Sequence, residues 1–212
     1  MTFATAGIHH VTAITSDQQR NLDFYAGILG LRLVKRTVNF DDPTTYHFYF
    51  GDESGNPGSL ITFFAWPGAK RGRPGAGQVG VTSFAIPPRS LGYWIERLVR
   101  YHVQYEQPQT RFDDERVIAL KDPDGLLLEL VAHPSAETRP QWSGGQVEPE
   151  HSVRGLHSIT LWEDGPGFTL DEPLETLGLA LKLPPWLEDR RFEIEALLPD
   201  VRLPLKLPGP AG

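Results

Sequence analysis

Two histidines stand side by side near the start of the chain, in Gly7-Ile8-His9-His10-Val11-Thr12-Ala13-Ile14. A neutral imidazole on a rigid strand offers one nitrogen to a metal while a neighbouring group fixes the other. His10 is therefore a candidate metal ligand, and equally a candidate hydrogen-bonded core residue. Glu129 is the second residue of interest, because it interrupts the apolar run Leu126-Leu127-Leu128-Glu129-Leu130-Val131. An unpaired carboxylate in such a run is costly, so Glu129 needs a metal, a cation or a face turned to solvent with Leu127. His47, in Tyr46-His47-Phe48-Tyr49-Phe50, can line a pocket beside Tyr49, with packing and hydrogen bonding the plainer role. His102, His133 and His151 have no partner at ligand spacing and are assigned no role, while Tyr25, Trp66 and Trp94 are assigned to the core.

Composition narrows the chemistry further. The absence of cysteine removes disulfides, thiolate ligands and a cysteine nucleophile, leaves histidine and carboxylate as the strong ligands, and reads as cytoplasmic. A net charge of -7 with no lysine or arginine run argues against nucleic acid as a partner. No stretch approaches the roughly 18 apolar residues of a membrane span, and the N-terminus lacks the pattern of a signal peptide. There is no glycine-rich phosphate loop and no serine in a nucleophile elbow. Asp122-Pro123-Asp124-Gly125 lacks the ligand series of a calcium loop and reads as a turn.

The elements that must position His10 and Glu129 repeat. Alternation over residues 7 to 14 predicts a strand with His10, Thr12 and Ile14 on one face and His9, Val11 and Ala13 on the other. Ser16 or Asp17 caps a helix whose Leu22, Tyr25 and Leu29 share a stripe, and Gly30 ends it. Strands are predicted at Leu31 to Val38, Tyr46 to Phe50 and Ser59 to Trp66, giving a βαβββ order. After a connector over Lys70 to Gln78 the order begins again. A strand at Val79 to Ile86 precedes a helix capped by Ser90 and bearing Leu91, Trp94, Ile95 and Leu98, with strands at Val103 to Glu106, Val117 to Lys121 and Leu126 to Val131. The closing strings LITFFAWP and LLELVAHP align, which puts Thr62 opposite Glu129.

The domain reading is a first module over 1–68, a second over 78–134, a linker over 135–154, the first strand of an incomplete third module over 155–163 and a tail over 164–212. The third module opens with Gly155-Leu156-His157-Ser158-Ile159-Thr160-Leu161, which restates the first motif with Ser158 in place of His10. We predict this strand to be covered by the tail or by a partner. The fold class is α+β, with paired βαβββ modules forming a curved mixed sheet and helices on the outside.

The paired units, the opening GIHHVTAI, the DPDG turn and the LLLELVAHP closing strand resemble the vicinal oxygen chelate superfamily. Within it, GIHHVTAITSDQQRNLDFYAGILGLRLVKRTVNFDDPTTYHFYFGD and GPGFTLDEPLETLGLALKLPPWLEDRR are similar to ring-cleaving extradiol dioxygenases of the hydroquinone type. The resemblance implies four βαβββ modules and Fe(II), with Mn(II) as the alternative metal, held by two histidines and one glutamate. It implies a hydroquinone-like or catechol-like aromatic and O2 as substrates. His10 matches the metal-ligating histidine of the first module and His9 the histidine beside it, assigned here the catalytic role. Glu129 sits at the glutamate position of the second module, where the corresponding histidine position falls at about Val81. The chain departs from the family pattern at Glu163-Asp164, which reads as the junction of an in-frame deletion that removes the fourth module and its two ligands. The alternatives are a homodimer that shares His10 and Glu129 between chains, a non-catalytic remnant that binds a small aromatic, and a glyoxalase-type lyase or isomerase.

Overall fold

A computed structural model of the protein describes residues 7–73, 75–112 and 114–162. The part of the sequence reading that concerns the tail lies outside these residues. The fold is mixed α+β, built on two mixed sheets with few helices. The first strand, β1 (His10–Thr15), leads into α1 (Gln18–Leu22), which Asp17 caps by accepting a hydrogen bond from the Arg20 amide at 3.0 Å. Over Asp23–Ile28 the helix widens into a π segment, which sequence periodicity did not foretell. Gly30 then turns the chain at φ +70, an angle a side chain tolerates poorly.

The strands β2 (Arg32–Val38), β3 (Tyr46–Gly51) and β4 (Leu60–Ala65) complete the first sheet in the order β1-β4-β3-β2, with β1 and β4 parallel. The second sheet contains β5 (Gln78–Ile86), β6 (Gln109–Arg111), β7 (Glu115–Lys121), β8 (Leu127–Ala132) and β9 (Leu156–Trp162). Its order is β6-β7-β8-β5-β9, with α2 (Leu91–Arg100) between β5 and β6 in sequence. The first sheet's arrangement thus recurs as β5-β8-β7-β6, and β9 adds antiparallel to the outer edge of β5.

Two local expectations change. The strand expected over Val103 to Glu106 makes only an isolated bridge, Tyr105 to Leu120, and the ladder resumes at β6 after Pro108, which has no amide to donate. The segment read as a linker is packed, since Ala136, Val147 and Val153 are buried. The orphan strand pairs along one edge with β5 of its own chain, and the expected cover by the tail falls outside the described residues.

The core is continuous across both sheets. Tyr25, Phe48, Phe50, Ile61 and Phe63 from the first half join Phe84, Trp94, Leu98, Ile118 and Leu130 from the second. Alternation along β1 sends Val11 into this core and leaves His10, Thr12 and Ile14 on the open face. Among the described residues no helix is long and apolar enough to cross a membrane.

Candidate active site

The open face of the first sheet is where side-chain chemistry concentrates. Register places Thr12 of β1 beside Thr62 of β4, Thr62 beside Tyr49 of β3, and Tyr49 beside Lys35 of β2. The Thr12 and Thr62 hydroxyls lie 2.9 Å apart, and the Thr62 hydroxyl is also 3.1 Å from Nε2 of His47. Nδ1 of His47 is 3.1 Å from the Tyr49 hydroxyl, and the Lys35 ammonium lies 5.3 Å from the Tyr49 ring centre. Burial, and then the Lys35 ammonium and the neighbouring His10, hold the pKa of His47 below its ordinary value, so at neutral pH the ring is uncharged. A neutral imidazole carries a single N–H, so one of the two hydroxyls donates to His47 and the other accepts from it.

His9 and His10 form their own pair at one end of this face. Their Nδ1 atoms are 3.0 Å apart and their rings meet edge to face, so one Nδ1 carries a proton that the other accepts. Both rings are exposed. At the other end Phe64 stacks between His47 (4.0 Å between ring centres) and Trp66 (5.8 Å). Trp66, assigned to the core from sequence, is 37% exposed here because it follows the last paired residue of β4 and leaves the buried layer. With Thr12, Ile14 and Phe64 it lines a cleft of about 880 Å³.

Glu129 belongs to the other sheet and is already paired. The Arg111 guanidinium donates to both of its carboxylate oxygens, at 3.0 and 3.2 Å, and the Ser83 hydroxyl donates at 2.6 Å. Of the three outcomes open to Glu129, the structure supplies the cation. Arg111 also donates to Glu115 at 2.8 Å, and Glu115 lies 2.7 Å from Nε2 of His157. Burial raises the Glu115 pKa, but the hydrogen bonds from Arg111 and His157 outweigh it and leave that pKa lowered. Sequence reasoning missed Arg111, Glu115 and His157, because strand register rather than spacing along the chain brings them together. The one signal was the demand of Glu129 for a partner.

A model of the glyoxalase/bleomycin resistance protein/dioxygenase superfamily matches residues 7–130, which takes in β1 through most of β8. The chain belongs to that superfamily. It is 48% identical over 175 residues, 82% of this chain and 55% of the relative, to the provisionally named ring-cleaving dioxygenase MhqO of Bacillus subtilis (strain 168). It is 34% identical over 157 residues to chlorohydroquinone/hydroquinone 1,2-dioxygenase of Sphingobium indicum, covering 73% of this chain and 49% of that one. A crystal structure provisionally named as a dioxygenase from Bacillus subtilis superposes with a TM-score of 0.73 at 46% identity, over 82% of this chain and 55% of that one. A glyoxalase family protein from Enterococcus faecalis, 22% identical with a TM-score of 0.50, shares the fold; it covers 59% of this chain and 97% of its own. The chain spans about half the length of the curated relatives it matches.

Metal-dependent chemistry characterises this superfamily, so the described residues can be tested against a metal. They do not fit one by themselves. No group of three or more histidine, aspartate or glutamate side chains among them is arranged to hold an ion. His10 is paired with His9, and Glu129 is neutralised by Arg111 on a different sheet.

Proposed function

We propose that this chain supplies the aromatic-binding wall of a ring-cleaving dioxygenase that acts on hydroquinone-like or catechol-like rings with O2 and Fe(II). The observation that carries this reading is the open face of the first sheet. It sets hydroxyl and imidazole groups (Thr12, Thr62, His47, Tyr49) beside exposed aromatic surface (Phe64, Trp66), as a flat ring bearing hydroxyls requires. On this reading a substrate hydroxyl exchanges hydrogen bonds with the uncharged His47 and Tyr49 pair. His10 is the imidazole offered to the metal, with His9 holding its orientation, and the remaining ligands come from groups other than the described residues. The domain reading is proposed alongside: two modules over 1–68 and 78–134, with a third opened at 155.

Tryptophan fluorescence tests the wall directly. Titration with a substituted hydroquinone is expected to quench it, with affinity weakened about tenfold or more by His47→Ala, since a lost hydrogen bond to a buried polar group costs about 1–3 kcal/mol. Absence of quenching sinks the proposal. Oxygen uptake after anaerobic Fe(II) loading tests catalysis separately. Binding without uptake favours the second reading, a non-catalytic module for small aromatics, which the engagement of Glu129 by Arg111 supports.

A further inference from the structure

The second sheet contains a chain of ionic and hydrogen-bonded contacts that the proposed function does not use, with one residue from each of its five strands. Ser83 (β5) donates to Glu129 (β8); Arg111 (β6) joins Glu129 to Glu115 (β7); and Glu115 meets His157 (β9). In the sheet order β9 and β7 are separated by β5 and β8, so the 2.7 Å contact between His157 and Glu115 spans the concave side of a strongly curved sheet. The side chains of Glu115, Glu129 and His157 are 11%, 14% and 13% exposed, and Nδ1 of His157 is buried with no hydrogen-bond partner among the described residues.

Two largely buried carboxylates and an imidazole, linked through one guanidinium, are hard oxygen and nitrogen donors of the kind that suit Mn(II), Fe(II) or Zn(II). Such a set needs a cation at its centre, since two largely buried carboxylates repel each other. Arg111 provides one. Its planar fork separates the carboxylates and satisfies both, and for that reason the three donors do not converge as a ligand set while it is in place. We propose that Arg111 is a built-in cation standing where a divalent metal would otherwise sit, and that it closes a latent metal site formed by Glu115, Glu129 and His157. Glu129, at the glutamate position of the second module, is then structural and is withdrawn from metal binding by its own chain.

Mn(II) binding to the full chain, read by calorimetry and by the electron paramagnetic resonance of bound manganese, tests the proposal. Arg111→Ala and Arg111→Met are compared with the wild type, each with and without Glu129→Gln. The expected result is that either Arg111 variant gains one Mn(II) per chain, and that Glu129→Gln abolishes the gain. In the wild type Glu129→Gln is expected to change nothing in Mn(II) binding, so any ion held at His10 is told apart. If an Arg111 variant unfolds, recovery of its circular dichroism on adding Mn(II) supports the proposal and failure to recover overturns it. A folded variant with no Glu129-dependent manganese overturns it as well, as does wild-type binding that Glu129→Gln removes.

Discussion

Asp122 and Asp124, two residues apart in one turn, respond to their surroundings in opposite directions. Asp122 is buried and its pKa is raised by that burial, even though it accepts hydrogen bonds from the Leu126 amide at 2.7 Å and the Tyr25 hydroxyl at 3.1 Å. Burial also acts to raise the pKa of Asp124, but there the hydroxyls of Ser16 and Thr15, at 2.5 and 2.6 Å, and the Arg20 guanidinium at 3.1 Å prevail and lower it. The consequences for stability are opposite in sign. Asp124 contributes stability that is present above its ordinary pKa of 3.8 and is lost as pH falls through its lower folded value. Asp122 contributes stability that is present below 3.8 and is lost as pH rises through its higher folded value. Urea unfolding across the acid range is expected to show the Asp124→Asn deficit growing with pH, to about 1–3 kcal/mol at neutrality from hydrogen bonds to a charged group. The stability of Asp122→Asn relative to wild type is expected to rise over the same range, and parallel curves for the two variants would refute the assignment. The same turn read from sequence is only Asp-Pro-Asp-Gly; that it clamps the start of α1 depends on Ser16 and Arg20 lying more than a hundred residues away in the chain.

Among the elements, β9 depends on a single backbone position. Gly155 takes φ +84, and a Cβ there would lie 2.9 Å from the Gly58 carbonyl oxygen, the same oxygen that accepts from the Leu156 amide at 2.8 Å. Gly155→Ala therefore forces a strained φ and a backbone clash together, at a cost of about 1–3 kcal/mol. The loss is expected to be local, seen by hydrogen exchange as faster exchange across Leu156–Trp162 with little change in β1 through β4; uniform acceleration would show that β9 is not a separable element. Most other elements were legible in the sequence because each rests on local signals. Alternation gave β1, strand-forming runs bounded by turns gave β3, β4 and β8, and the stripe of Leu91, Trp94 and Leu98 gave α2. What local signals could not give was pairing. The position of β6, the edge that receives β9 and the meeting of Arg111 with Glu129 all follow from register between distant segments. His10 and Thr12 could be placed on one face because period two is local, whereas Thr62 and His47 joined them only through the β1-β4-β3 order.

At the scale of the whole molecule, the two sheets share one core, and buried polar ties join its halves beside the Asp124 clamp. The hydroxyl of Tyr25, from the π segment of the first half, donates to Asp122 in the turn that leads into β8. Arg97 of α2 is 5% exposed and donates to the carbonyls of Gly27 and Ile28 at 2.8 and 2.7 Å, the last residues of that π segment. A helix end widened in this way leaves carbonyls without intrahelical donors, and the guanidinium satisfies two of them from the other half of the fold. Neither half can therefore unfold without exposing apolar surface and orphaned polar groups in the other, so one cooperative transition is expected. Arg97→Met keeps the aliphatic stem and removes both donors. It is expected to lower stability by about 2–4 kcal/mol, the range for hydrogen bonds from a charged donor to groups that stay buried, while preserving a single transition. Thermal unfolding followed by near-ultraviolet and far-ultraviolet circular dichroism provides the check. Coincident midpoints in wild type and variant support one folding unit, and a split transition in the variant would mean that the shared apolar core and the remaining polar ties contribute too little to couple the halves without Arg97.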